Sequence, residues 1–236
     1  ECKIETFGFH PEADYQIIFD PSVQRVGILR DGMWTIQWTN SMPGSHNALN
    51  AAAAAILASK LGLDWELMLE SLEQFTGLDR RLQNLGTFPC KDGGAATVFD
   101  DYGHHPTEIE MTLKALRSSE LPKRLICVFQ PHQHSRTRFL LDQFAQSFSS
   151  ADEIIVPHIY FVRDSEAEQQ RVSAQDLVDK LDAQGLDAKH INNFDDIILH
   201  LQENALDGDL IVIMGAGPVT SIAHALVDNA KMPSSK

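Results

Sequence analysis

"AATVFDDYGHHPTEIEMTLKALR", residues 95–117, joins a strand to a helix through a polar seam. Ala95–Phe99 is a short apolar run of strand type, and Pro106 opens a helix that should reach about Arg117. Between them stand Asp100, Asp101, Tyr102, His104 and His105, crowded into the seam. Downstream the alternation continues. "RLICVFQ" (124–130) is a buried strand, "TRFLLDQFAQSF" (137–148) an amphipathic helix and "DEIIVP" (152–157) another strand. A loop through Arg163 and Arg171 leads to a helix over 174–183, a short strand and a helix near 195–203. "DLIVIMGAG" (209–217) is a last buried strand, followed by a helix over 219–229. Strands alternating with helices predict an α/β fold with a doubly wound, mostly parallel, Rossmann-like sheet.

Upstream the pattern differs. "CKIETFGF", "DYQIIFD", "VQRVGILR" and "WTIQWT" alternate as strands across residues 1–40, with His-Pro, Asp-Pro and Asp-Gly turns between them, and predict an antiparallel sheet. After Pro43-Gly44 comes an alanine-rich helix from Ser45 to Leu61, capped by Ser45 and closed by Gly62. A second helix follows Asp64 as its N-cap and runs to about Phe75. "RLQNLGTF" (81–88) returns to strand, so the domain boundary is expected near Arg80 to Gly86, giving domains 1–80 and 81–236.

The 236 residues carry 33 acidic and 19 basic side chains, a formal net charge of −14, which argues against a nucleic-acid partner. The three scattered cysteines form no framework and suit a reducing compartment. No stretch approaches the roughly 20 apolar residues that span a bilayer, and a cytoplasmic protein with no membrane partner is expected. The chain begins with Glu rather than Met, which hints at a piece of something longer.

In an open α/β sheet, ligands bind beyond the carboxyl ends of the strands. Asp100–His105 and "QPHQHSRTR" (130–138) both fall at such ends, so they point to one site. Two chemistries compete there. His132 and His134, two apart in extended chain, could join Asp101 and His104 around zinc or iron. Arg136 and Arg138 would repel such a cation and suit an anion instead, so the anion reading is preferred. Arg136, between its strand and a helix expected from about Thr137, could converge with that helix's N-terminus on one anion. Asn47 and Asn50, three apart in the first helical turn, are either caps or a pair of amides reading a nucleobase. Arg80 and Arg81 could clamp phosphate at the domain seam. "GAGPVTSIA" (215–223) lacks a full dinucleotide fingerprint and suits tight strand-to-helix packing.

"GSHNALNAAAA", "FTGLDRRLQNLGTF", "DDYGHHPTEIEMTLKALR", "FQPHQHSRTR" and "LIVIMGAG" occur in that order. Together they resemble the Mur ligases of peptidoglycan synthesis, over about Thr6 to Val227. The resemblance implies the end of a central ATPase domain in 1–80, β-rich and helical, and a C-terminal amino-acid-binding domain in 81–236. It implies a cytoplasmic ligase that uses ATP and Mg2+ to join L-alanine to UDP-N-acetylmuramate through an acyl phosphate. A murein tripeptide-recycling ligase of the same family, or a non-catalytic binding module, is the alternative. The P-loop and most magnesium ligands are missing from these residues, so the chain alone is expected to be inactive. By position, the resemblance implies that His46, Asn47 and Asn50 read adenine, and that Arg81 and Asp101 serve the nucleotide and catalysis. Tyr102, His104, His105, His132 and Arg136 would hold the amino acid, with Gln133 where some members carry a further arginine. It also implies a domain closure that brings Arg81 and Arg136 onto the other half of the site.

Overall fold

The computed structural model of the chain describes residues 2–231. It divides into two compact units, Glu1–Gly77 and Leu78–Lys236, a division just ahead of the expected Arg80–Gly86 window.

The first unit is a four-stranded sheet covered by two helices. Its strands are β1 (Phe7–Gly8), β2 (Tyr15–Asp20), β3 (Arg25–Arg30) and β4 (Met33–Thr39), in that order. β2, β3 and β4 pair antiparallel as the alternation predicts, but β1 is only two residues long and runs parallel to β2. The rest of "CKIETFGF" is spent elsewhere. Thr6 bonds Asp14 through its backbone N–H (2.7 Å) and its hydroxyl (2.8 Å), and Glu5 takes Lys3 and Lys60.

Alternate strand residues Tyr15, Ile17, Val26, Ile28, Ile36 and Trp38 face Ala48, Ala52, Ala55 and Ile56 of α1 (Ser45–Lys60). Small alanines on one helical face let the helix approach the sheet closely. Ser45 is not the cap. Gly44, at φ 98°, holds the N-cap position, which a residue with a Cβ would occupy only under strain. α2 (Trp65–Gln74) is capped as predicted, with Asp64 Oδ1 accepting from the Glu66 N–H at 2.8 Å.

In the second unit, β5 (Gln83–Pro89) and β6 (Ala95–Asp101) form an antiparallel hairpin. The remaining elements alternate: α3 (Pro106–Ser119), β7 (Arg124–Phe129), α4 (His134–Phe139), α5 (Leu141–Gln146), β8 (Glu153–Val156), α6 (Glu166–Gln169), α7 (Ala174–Asp182), β9 (Ala188–His190), α8 (Phe194–Asn204), β10 (Asp209–Met214) and α9 (Thr220–Lys231). Sheet order is β5-β6-β10-β7-β8-β9, and every pair except β5·β6 is parallel.

The doubly wound reading follows from which side each strand residue faces. Leu125, Cys127, Phe129, Leu210, Val212 and Met214 join one core with Ile109, Leu113 and Leu116 of α3 and Leu177 of α7. Ile126, Val128, Ile211 and Ile213 join the other with Ile197 of α8 and Ile222 of α9. Burying one such side chain stabilises by about 1.5–3 kcal/mol.

Two helical details differ from expectation. The predicted helix over 137–148 begins earlier, at His134, and breaks at Leu140 into α4 and α5. Gln133, at φ 68°, launches it, and its carbonyl accepts from the Thr137 N–H (3.0 Å) and hydroxyl (2.8 Å). The loop through Arg163 also contains a short helix, α6, whose N-cap is Ser165.

Candidate functional site

β10 comes last in the chain yet lies between β6 and β7, so the chain path reverses there. At such a switch point the carboxyl ends splay apart and leave a crevice. Register puts Asp101 and Phe129 on either side of Met214. Tyr102, Gln130 and Gly215 therefore emerge together, and the two polar clusters do share one sheet edge.

Adjacent residues of β6 have different partners. Asp100 is fully buried and accepts from the Thr220 hydroxyl at 2.6 Å, with Arg80 Nε 3.5 Å away. Arg80 also donates to the carbonyls of Gly215 and Gly217, so it ties the β10 turn to the start of the unit. Asp101 is 4% exposed and accepts from the N–H groups of Leu82 (2.8 Å) and Gly103 (2.7 Å). Burial pushes its carboxyl above the usual range, against the pull of those two donors and of Arg81. Both of its oxygens thus hold the backbone that carries Arg81 and Tyr102.

A row of rings crosses the crevice. Tyr102 has the Arg80 and Arg81 guanidiniums over its face at 4.9 and 5.4 Å. Its edge meets His104 at 5.4 Å, His104 lies 6.0 Å from His132, and His132 lies 5.7 Å from Tyr160. Burial first, then the charges of Arg136, His104 and Arg163, holds His132 below its ordinary pKa. His132 is therefore neutral at pH 7, and its Nδ1 is buried without a hydrogen-bond partner among the described residues.

His105 does a local job instead. Its Nδ1 accepts from the Thr107 N–H (3.3 Å), while Glu108 accepts from its own N–H (3.1 Å), a capping box for α3. The structure gathers Tyr102, His104, His132 and Arg136 along the edge, and leaves His105 exposed at the helix start. Burial would raise Glu108, but the N–H groups of His104 and His105 and the nearby Arg81 outweigh it and keep its pKa low.

The zinc or iron arrangement loses its geometric basis. Gln133 at φ 68° breaks the extended path that would align His132 with His134. His134 is buried against Phe161, 5.9 Å between rings, while His132 faces His104. Among the described residues no group of three or more His, Cys, Asp and Glu is arranged to hold a metal.

Charge pairing separates the arginines. Arg138 makes a two-pronged pair with Glu168 (2.8 and 3.1 Å), and Arg171 joins the same carboxylate at 3.0 Å. Among the described residues no carboxylate lies within 4.0 Å of Arg81, Arg136 or Arg163, in a chain of net charge −14. Arg136 stands inside α4 rather than ahead of it, so it does not converge with that helix's N-terminus as expected. Its Nη1 is buried with no hydrogen-bond partner among the described residues. A buried cationic N–H without an acceptor is costly, and an anion supplies what it lacks.

The β10 turn packs as expected for "GAGPVTSIA". A Cβ on Gly217 would come within 2.5 Å of Gln130 Oε1 and 3.1 Å of the Tyr160 ring. In the first unit, His46 and Asn47 occupy the first turn of α1 and Asn50 follows on its exposed side. Asn47 donates to the Pro43 carbonyl at 2.8 Å, and its amide oxygen has no hydrogen-bond partner among the described residues. Sequence reading missed the Arg80–Asp100–Thr220 link and the part of Tyr160 and Arg163. A ring contact and a long-range bridge bring Tyr160 to His132, and the charge of Arg163 acts on the same imidazole.

The second unit is thus an α/β sheet with a crevice at the strand reversal, where Arg81 and Arg136 have no carboxylate within 4.0 Å among the described residues and burial lowers the pKa of His132. Residues 80–217 match the family described as Mur ligase, glutamate ligase domain, and the chain belongs to the Mur ligase family. It is 37% identical over 230 residues to the UDP-N-acetylmuramate–L-alanine ligase of Desulfitobacterium hafniense, covering 96% of this chain and 50% of that protein. Its structure is similar to UDP-N-acetylmuramate-alanine ligase from Thermotoga maritima, with a TM-score of 0.75 and 25% identity over 98% of this chain and 48% of that one. The murein peptide ligase of Psychrobacter arcticus shares the fold, with a TM-score of 0.66, 23% identity and 97% and 47% coverage. The chain spans about half the length of the curated relatives it matches.

Proposed function

We propose that this chain is the amino-acid-adding part of an ATP-dependent ligase that joins L-alanine to UDP-N-acetylmuramate. The observation that carries the reading is Arg136, which among the described residues has no carboxylate within 4.0 Å and no hydrogen-bond partner for its buried Nη1, at the crevice of the sheet. The amino acid's carboxylate is the anion it fits. His132, kept neutral, adds no competing charge and leaves Nδ1 for a hydrogen bond.

The reaction in this reading proceeds in two steps. The γ-phosphoryl group of ATP passes to the muramoyl carboxylate, giving an acyl phosphate and ADP. The alanine amine then attacks the acyl carbon, the amide bond forms, phosphate leaves and the amine gives up a proton. This chain's share is positioning and charge neutralisation, which together supply most of the rate in such transfers. Arg136 orients alanine, and Arg81, free of any carboxylate within 4.0 Å among the described residues, suits phosphate oxygens. Asp101 acts through the backbone that carries Arg81. His46, Asn47 and Asn50 would take adenine, for which the amide oxygen of Asn47, without a hydrogen-bond partner among the described residues, is suited. Among the described residues no group of three or more His, Cys, Asp and Glu is placed to hold Mg2+.

The test is a turnover assay on the protein that carries this chain, omitting one reactant at a time. ADP release should require UDP-N-acetylmuramate, ATP and L-alanine together, with the amide product seen by mass. Turnover with a murein tripeptide but not with L-alanine would move the reading to the recycling ligase. No turnover with either would leave a binding module.

A further inference from the structure

Residues 160–164 lie against residues 132–135 through a run of separate contacts. Tyr160 bridges His132 in parallel fashion, donates to the Pro131 carbonyl (2.8 Å) and accepts from the Gln133 N–H (3.0 Å). The Phe161 ring meets His134 at 5.9 Å. Gln133 Nε2 donates to the Val162 carbonyl at 3.2 Å, and Asp164 Oδ2 accepts from the Ser135 N–H at 2.8 Å. Arg163 sits in the middle of this strap at φ 50°, a left-handed backbone that an arginine adopts only under restraint. The bonds at Val162 and Asp164, on either side, hold it there.

We infer that Arg163 is the second guanidinium of this site and shares the incoming carboxylate with Arg136. The inference rests on the function proposed above. Three observations carry it. The strap fixes the Arg163 backbone beside the residues that bear His132 and Arg136. The nearest acid in the chain, Asp164, is committed to the N–H groups of Ser135 and Ser165 and makes no ion pair with Arg163. The neighbouring Arg138 and Arg171 both pair with Glu168, whereas Arg136 and Arg163 have no carboxylate within 4.0 Å among the described residues. The charge of Arg163 also reaches His132, where it acts in the same direction as that of Arg136. Gln133 contributes no charge; its amide is spent on holding Val162.

The experiment compares L-alanine with L-alaninamide, which lacks the carboxylate, in the ligase that carries this chain. Arg163→Ala should raise the KM for L-alanine by roughly 5- to 30-fold, less than a fully buried charge pair would give. It should leave the KM values for L-alaninamide, ATP and UDP-N-acetylmuramate within about twofold, so the preference for the acid over the amide narrows. Arg163→Lys should recover part of the loss. An unchanged alanine KM, or alanine and alaninamide KM values rising together, would overturn the inference while wild-type turnover leaves the proposed function standing. A wild type that does not use L-alanine overturns both.

Discussion

Asp101 is the residue whose loss the structure makes easiest to quantify. It is 4% exposed, and its two oxygens take the N–H groups of Leu82 at 2.8 Å and Gly103 at 2.7 Å. Asp101→Ala strands both donors in the interior, at about 1–3 kcal/mol each. Burial already disfavours the charged carboxylate, so its removal returns part of that cost. A net loss of about 2–4 kcal/mol is expected for Ala. Asp101→Asn keeps one acceptor but turns an NH2 toward the other N–H, for a loss of about 1–3 kcal/mol. The backbone gives a second readout, since Leu82 stands at φ 48° and Arg80 at φ 59°, conformations that persist only when held. Amide hydrogen exchange during urea unfolding of the chain measures both effects. The Leu82 and Gly103 amides should lose protection in either variant. All three tryptophans, Trp34, Trp38 and Trp65, lie in the first unit, so their fluorescence transition serves as an internal control. An Ala variant within about 0.5 kcal/mol of wild type, with unchanged exchange at Leu82 and Gly103, would refute the reasoning.

His132 and His134 are both held below the unfolded value of 6.5 mainly by burial. The unfolded chain therefore binds protons first, so stability is full above that value and falls as pH drops through the depressed folded values. Urea midpoints from pH 8 to 5 should decline, and a His132→Gln, His134→Gln double variant should flatten the decline. Gly217→Ala forces a methyl to within 2.5 Å of Gln130 Oε1 and 3.1 Å of the Tyr160 ring, so it should destabilise the second unit by about 1–3 kcal/mol by overpacking. Thermal unfolding checks this, and a Tm equal to wild type would show that the turn has room to shift. Arg138→Ala removes a pair with Glu168 and a stacking contact over Phe139, and should leave the KM for L-alanine within about twofold.

Much of the second unit was legible because its strands are apolar runs of the right length, bounded by polar seams. That rule found β6, β7, β8 and β10 and put Asp100–His105 and Gln130–Arg138 at one edge. It could not place β10 between β6 and β7, because strand pairing 80 and more residues apart leaves no local trace. Asp100 and Asp101 read alike in sequence. Their partners differ because successive strand residues face opposite ways, and those partners come from α9 and from the turn before β5. Ser45 failed as a cap because Gly44 supplies the left-handed entry to α1. Gln133 and Arg163 take positive φ only under tertiary restraint, so the start of α4 and the strap beside it were out of reach of propensity.

In the proposed reading the crevice holds the carboxylate of an incoming amino acid through Arg136. Steady-state kinetics on the Arg136→Ala variant of the ligase carrying this chain, with each substrate varied in turn, test it most directly. A charge-assisted hydrogen bond is worth about 1.5–3 kcal/mol. At about 1.4 kcal/mol per tenfold, the KM for L-alanine should rise roughly 10- to 150-fold while the KM for ATP hardly moves. An alanine KM equal to wild type, or an equal rise for ATP, would contradict the account.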